Sequence, residues 1–249
     1  MTLLLVDVCN SRVKWARCEH GELGAQQAAD HAAWTASDWR AALFAGAAVE
    51  RVVAASVAGG ASLAALDAAA RAATGHGIER ITTQREAAGV VNGYADPGLL
   101  GVDRWLAAIA AYRHAGGACV VADIGTAATV DVVAADGWHR GGYIVPGPRL
   151  MVASLLHGTS DLASFHATSP PGAGPVFADN TRDAIERGCR VALAAWVDRC
   201  VADAGKLLGT APRLLLTGGA LPEVRPYLEA RGEDVPDLVL RGLAVVAGA

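Results

Sequence analysis

Residues 3 to 9 read Leu-Leu-Leu-Val-Asp-Val-Cys, pass through Asn10-Ser11, and continue as a second extended stretch from Arg12 to Cys18 before a turn at His20-Gly21. Residues 118 to 124 read Ala-Cys-Val-Val-Ala-Asp-Ile, pass through Gly125-Thr126-Ala127, and continue from Ala128 to Ala134 before a turn at Asp136-Gly137. In both copies a β-rich run ends in Asp-x-(Cys or Gly)-(Asn or Thr)-(Ser or Ala), the chain reverses, and a second strand follows. A hairpin repeated at this distance marks an internal duplication, so the chain is expected to fold as two equivalent α/β halves.

Working outward from the first hairpin, strand and helix alternate. Arg51 to Val57 reads as a buried strand, Ala61 to Ala73 as a helix ended near Gly75, and Ile78 to Thr83 as another strand. Asn92 to Gly98 is a turn-rich loop, and Val102 to His114 is helical up to Gly116-Gly117, which places the domain boundary between residues 1–116 and 117–249. After the second hairpin, Trp138 to Val145 gives a strand stopped by Pro146-Gly147-Pro148, and helix resumes to about Leu162. Ser164 to Asp179 reads as a loop, Thr181 to Leu208 as a long helix, and Arg213 to Leu216 as a strand ending at Thr217-Gly218-Gly219. Two further helical stretches bracket Asp237 to Leu240.

Composition narrows the function classes. The 249 residues carry 21 basic and 25 acidic side chains, a formal charge of −4, and only 18% of positions are charged. The basic residues are scattered, which argues against a nucleic-acid partner. Hydrophobic residues make up 53%, much of it alanine, and no apolar run approaches the ~18–20 residues of a bilayer crossing, so no membrane association is expected. The five cysteines form no C-x-x-C pair, and the opening run ends directly on Asp7, a first strand rather than a signal peptide. A reducing, cytoplasmic setting follows. The seven histidines lack H-x-x-x-H or H-E-x-x-H spacing and are assigned no metal.

Two tight turns, each flanked by an Asp and built from small residues, suit a phosphate chain. Consecutive backbone N–H groups in such a turn form an anion nest, and only small side chains let phosphate approach that closely. A carboxylate beside phosphate is repelled unless a cation stands between them, so Asp7 and Asp123 are expected to hold cations, directly or through water.

The pattern resembles the actin, Hsp70 and sugar-kinase superfamily, and at finer grain the type III pantothenate kinases. That family begins with Asp-x-Gly-Asn-Thr/Ser-x-x-Lys, and here stand Asp7, Val8, Cys9, Asn10, Ser11, Arg12, Val13 and Lys14. Its Asn-Gly-Tyr and Gly-x-Asp-Arg motifs match Asn92-Gly93-Tyr94 and Gly101-Val102-Asp103-Arg104. Its second phosphate motif matches Asp123-Ile124-Gly125-Thr126-Ala127-Ala128-Thr129, followed by Gly141-Gly142-Tyr143-Ile144-Val145-Pro146-Gly147, Asn180-Thr181 and Thr217-Gly218-Gly219. The resemblance covers essentially the whole chain.

It implies two similar actin-like (ribonuclease H-like) domains facing across a cleft, and transfer of the ATP γ-phosphoryl group to the primary hydroxyl of pantothenate, the first step towards coenzyme A. It further implies that residues 7–14 and Thr126 contact ATP and that Asp123 takes a monovalent cation, K⁺ or NH₄⁺; the charge argument gives Asp7 the Mg²⁺, directly or through water. By the same resemblance Asp103 is the general base, and Tyr94, Gly101, Val102, Arg104 and Thr181 hold pantothenate, Thr181 across a homodimer interface. A base must be unprotonated, the ordinary state of a carboxylate at neutral pH.

Each residue alone has a plainer reading. Asp7 fits a strand-end turn former, Arg104 a solvated helix residue, Tyr94 a packing anchor, Thr181 the start of a helix capped by Asn180, and Gly218-Gly219 a simple turn. Cys9 departs from the family glycine. If that position needs φ > 0 or meets phosphate at backbone distance, a side chain there costs roughly 1–2 kcal/mol. Three outcomes stand open: a tolerated cysteine, weak ATP binding, or a weak or silent homologue acting as a regulatory or binding protein. Retention of Asp7, Asn10, Ser11, Lys14, Asp103, Asp123 and Thr126 favours the first. Another small-molecule kinase of the superfamily is the second rival. A Rossmann dehydrogenase is disfavoured, because no Gly-x-Gly-x-x-Gly follows a strand and opens a helix.

Overall fold

The computed structural model describes residues 2–46, 48–157 and 176–249. They form two compact units: the first holds the chain up to His114 with Gly137–His139 and Asp237–Ala249, and the second holds Ala115–Asp136 and Arg140–Pro236.

In the first unit the elements run β1 (Thr2–Val8), β2 (Arg12–Glu19), β3 (Glu22–Leu23), β4 (Gln27–Asp30), α1 (Ala36–Phe44), β5 (Arg51–Ser56), α2 (Gly60–Thr74), β6 (Glu79–Arg80), the small hairpin β7 (Glu86–Ala87) and β8 (Val90–Val91), and α3 (Val102–Ala115). The sheet order is β3-β2-β1-β5-β6, with β4 also pairing β2. β1 runs antiparallel to β2 and parallel to β5. A strand flanked on both sides and covered on both faces needs a continuous apolar run rather than alternation, and residues 3–8 are all buried. Leu4, Val6 and Val8 pack with Trp39 and Leu43 of α1 and Leu66 and Ala70 of α2.

The second unit contains β9 (Cys119–Ile124), β10 (Ala127–Val133), β11 (His139–Pro146), α4 (Pro148–His157), α5 (Thr181–Leu208), β12 (Arg213–Thr217), the short α6 (Leu221–Val224) and β13 (Glu233–Asp234). Its sheet order is β11-β10-β9-β12-β13, with β9 antiparallel to β10 and parallel to β12. The strands β2-β1-β5-β6 and β10-β9-β12-β13 therefore share one order and one set of directions. The repeat in the sequence is a repeat of topology. The two hairpins differ in one respect: Asp7 faces Lys14 across the first, whereas Asp123 faces Thr129 across the second, whose connection is one residue shorter. Val120, Ala122 and Ile124 meet Leu193, Ala194 and Val197 of α5 in the core.

The last helix, α7 (Leu238–Val246), returns to the first unit and lies against β1. It crosses α3 closely enough that a Cβ on Gly242 would collide with the Leu106 carbonyl. The sequence reading set Asp237–Leu240 apart from helix, but an apolar run long enough to bury one helical face continues through it. The strand expected over 78–83 shrinks to Glu79–Arg80, which pair with Val53 and Ala54 of β5, and the Ile81 N–H adds one bond to the Ala54 carbonyl at 2.9 Å. The expected loop over 164–179 lies mostly outside the described residues. No helix among the described residues is long and apolar enough to cross a membrane.

Candidate active site

In the first unit, β1 carries Asp7 into the interior, 1% exposed, and hands the chain to the turn at residues 9–11. The Cys9 N–H donates to the Arg12 carbonyl at 2.9 Å and closes the turn. Among the described residues the non-glycine positions with positive φ are His20 and Ala88, so Cys9 occupies backbone that any L-residue adopts. Its Sγ lies 3.5 Å from Asp7 Oδ2. The repeat supplies a control, since Gly125 at the matching place in the second hairpin also lacks a positive φ and a Cβ there would meet nothing nearer than 3.4 Å. Neither turn requires glycine on backbone grounds. Asn10, Ser11 and Arg12 are exposed, and Cys9 and Lys14 half-buried.

The Asn-Gly-Tyr and Gly-x-Asp-Arg motifs come together at the loop leading into α3. Asn92, fully buried, accepts the Tyr94 N–H on Oδ1 at 3.0 Å. Its amide nitrogen donates to the carbonyls of Gln84 and Pro97 at 3.4 and 3.3 Å. Gly93 is required by close approach, because a Cβ would collide with the His139 carbonyl. Tyr94 then projects to Arg104, whose Nη1 donates to the phenol oxygen at 3.0 Å. Arg104 is only 7% exposed, which removes the reading of a solvated helix residue.

Asp103 opens α3, and its Oδ1 accepts the Arg104 backbone N–H at 2.8 Å. A Cβ on Gly101 would come within 2.7 Å of that oxygen, so the glycine makes room for the carboxylate to fold over the helix start. A carboxylate at the first turn of a helix also meets the positive end of its dipole. Arg85 belongs to no motif in the chain. It donates to the carbonyls of Asn92, Tyr94 and Ala95 at 3.0, 2.8 and 2.8 Å, clamping the loop that presents Tyr94. A lone arginine in an exposed segment carries no sequence signal of such a role.

In the second unit, Asp123 is the penultimate residue of β9, with Gly125 and Gly218 beside its carboxylate. A Cβ on Gly218 would approach its Oδ1 to 2.5 Å and collide with the Ile124 carbonyl, and Gly218 also has φ +106. Gly147 donates its N–H to the Thr126 carbonyl at 2.9 Å, and a Cβ there would collide with the Gly125 carbonyl. The Pro146-Gly147 and Thr217-Gly218 segments are thus walls of the second turn. Thr126 is exposed on its tip. Asn180 caps α5 by accepting the Asp183 N–H at 2.9 Å, and Thr181 follows it, exposed, at the first helical position.

These donors suit hard cations, which take carboxylate oxygens and share their remaining positions with water or phosphate. Among the described residues no group of three or more His, Cys, Asp or Glu could hold an ion alone. An ion held by one carboxylate and a ligand's phosphate oxygens fits that donor set.

Two sheets of one strand order, each with an Asp-flanked small-residue turn at the end of its first strand, define the actin-like class. An archaeal actin homologue superimposes with a TM-score of 0.54 at 12% identity, covering 100% of this chain and 99% of that one. The sequence resolves the class further: the type III pantothenate kinase family profile matches residues 3–203. The type III pantothenate kinase of Azoarcus sp. (strain BH72) is 41% identical, covering 99% of this chain and 91% of its own. That of Alkalilimnicola ehrlichii is also 41% identical, covering 98% and 97%. The chain belongs to the type III pantothenate kinase family.

Proposed function

We propose that this protein transfers the γ-phosphoryl group of ATP to the primary hydroxyl of pantothenate, giving 4′-phosphopantothenate. The observation that carries this reading is the assembly of Tyr94, Asp103 and Arg104 at one loop-to-helix junction, in a chain of this family. Phosphoryl transfer asks mostly for positioning and charge stabilisation, and little covalent chemistry from the protein. Arg104 and the Tyr94 phenol hold the acceptor's polar groups. Asp103 keeps one oxygen on the Arg104 amide, and its Oδ2 takes the hydroxyl proton as the oxygen attacks.

On the nucleotide side, residues 7–14 and Thr126 receive the phosphate chain, with Lys14 adding positive charge across the hairpin from Asp7. Mg²⁺ brought by ATP supplies neutralisation of phosphate charge, with Asp7 as its protein ligand. Asp123 holds K⁺ or NH₄⁺. Thr181 reaches pantothenate bound to the partner of a homodimer. The exposed apolar side chains Tyr143 and Ile144 of β11, Leu150 and Leu155 of α4, and Val191 of α5 support an apolar interface on the second unit. The unstrained backbone at Cys9 supports an active kinase over a silent binding protein.

The test is product formation, read by mass, from pantothenate and Mg-ATP with and without K⁺, in the native protein and in Asp103→Asn. Phosphopantothenate that needs K⁺ and disappears in Asp103→Asn supports the reaction, the cation and the base together. Pantothenate binding without turnover in the native protein would sink the kinase reading in favour of a binding protein.

A further inference from the structure

The segment between β4 and α1 carries no motif, yet His31 reaches the phosphate turn twice. Its backbone N–H donates to the Ser11 carbonyl at 3.3 Å, extending the β2/β4 ladder one step beyond the Arg12–Asp30 pair. Its Nε2 lies 2.8 Å from the Cys9 carbonyl oxygen. A carbonyl only accepts, so Nε2 carries the proton in this contact. The residue is 5% exposed, and its ring packs on Trp39 with centroids 5.3 Å apart. Trp39 packs in turn on Trp34 at 5.0 Å, and Trp34 on Trp15 at 6.3 Å. The imidazole is held by an aromatic cluster and aimed at one carbonyl.

The consequence follows from peptide geometry. In a planar trans peptide the C=O and the next N–H point in opposite directions. Tying the carbonyls of Cys9 and Ser11 to His31 turns the amides of Asn10 and Arg12 away from it. An anion nest is made of such amides, and their direction decides whether phosphate is bound or repelled. His31 thereby acts on the ligand through the turn, without touching it.

We propose that His31 is a positioning residue for the phosphate chain of ATP, its imidazole N–H fixing the peptide plane that follows Cys9. This rests on the kinase reading and deepens it at the nucleotide side. The role needs a donor, not a ring or a charge, and that separates it from packing.

Two variants divide the possibilities. His31→Phe keeps a ring against Trp39 and loses the donor; His31→Gln loses the ring and keeps an N–H donor. MgATP affinity is measured by calorimetry and KM for pantothenate at saturating ATP. Loss of one orienting hydrogen bond should weaken MgATP binding about 5- to 10-fold in His31→Phe. KM for pantothenate should stay within about twofold, and His31→Gln should bind MgATP close to the native protein. Native-like binding by His31→Phe overturns the proposal. So does His31→Gln binding as poorly as His31→Phe, or KM for pantothenate rising in parallel, since each makes His31 a packing residue only. A native protein that binds MgATP but never phosphorylates pantothenate defeats the kinase reading instead, and the comparison of MgATP affinities still decides His31.

Discussion

The guanidinium of Arg104 donates to the phenol oxygen of Tyr94 at 3.0 Å, with its carbon 5.9 Å from the ring centroid. The pair joins two motifs ten positions apart in the chain and fixes both side chains before any substrate arrives. Tyr94→Phe removes the acceptor from a charged donor that is 7% exposed, a loss of about 1.5–3 kcal/mol, or roughly 10- to 150-fold. Steady-state kinetics should place it in KM for pantothenate, leaving KM for ATP unchanged. Equal effects on both substrates would show that Tyr94 serves packing alone.

Thiol chemistry tests the burial of the cysteines. Cys18, Cys119, Cys189 and Cys200 are buried, and Cys9 is half-buried on the turn after β1. Burial pushes the Cys119 thiol up to about 12 and the Cys200 thiol up to about 11, and raises those of Cys18 and Cys189 as well. Thiolates, not thiols, react with disulfide reagents. At pH 8 the native protein should therefore release one rapid equivalent of thionitrobenzoate, absent in Cys9→Gly, and five after denaturation. Because the backbone at Cys9 needs no glycine, Cys9→Gly should also change kcat/KM for ATP by less than about tenfold, within about 1.4 kcal/mol. A gain above ~100-fold would mark Cys9 as a lesion.

How much of this could be read from the chain depends on whether the cause is local. The strand-end places of Asp7 and Asp123 are legible because a hairpin repeated with the same flanking acid is a pattern in one dimension. The long helix from Thr181 to Leu208 is legible from Asn180 at its cap, and the structure adopts those bounds. Helix α1 went unread although Thr35-x-x-Asp38 forms a full capping box, because the surrounding apolar pattern is weak. Gly93 and Gly218 were visible as motif letters, but their reasons, the carbonyls of His139 and Ile124, come from segments far along the chain. Arg85 and His31 bond to backbone carbonyls, which every residue possesses, so no partner type betrays them.

Acid stability offers a check on the first unit. Asp67 on α2 accepts from Arg71 Nε at 2.8 Å and from the Ile78 N–H at 2.9 Å, and these bonds, the arginine's first, hold its carboxyl below the usual range. A carboxylate whose folded value is depressed stabilises the fold at pH values above its unfolded value. The contribution disappears as pH falls through the folded value. The side chain is 31% exposed, and solvent screening keeps the arginine pairing within about 1 kcal/mol. Asp67→Asn should lower the thermal midpoint at pH 7, and the gap to the native protein should close as the pH drops below about 4. A gap that persists at pH 2 would assign the effect to lost shape rather than lost charge.

The hairpin that leads into the Tyr94 loop carries strain that a single substitution relieves. β7 and β8 are joined by Ala88 and Gly89, with φ of 51 and 85, and a two-residue connection with both angles positive is a type I′ turn. An alanine in left-handed backbone costs about 1–2 kcal/mol, whereas asparagine tolerates it. The strain persists because the surroundings fix the turn: the Val91 N–H donates to the Gly137 carbonyl at 2.9 Å, and a Cβ on Gly137 would collide with the Gly89 carbonyl. At the base of this hairpin the Asn92 N–H donates to the Arg85 carbonyl at 2.8 Å, so the turn is coupled to the clamp on Tyr94. Ala88→Asn should stabilise the protein by about 0.5–1 kcal/mol with KM for pantothenate unchanged, while the β-branched Ala88→Val should destabilise it and raise that KM. Denaturant midpoints and steady-state kinetics on the two variants measure both effects; an Ala88→Asn protein no more stable than the native one would place the strain elsewhere.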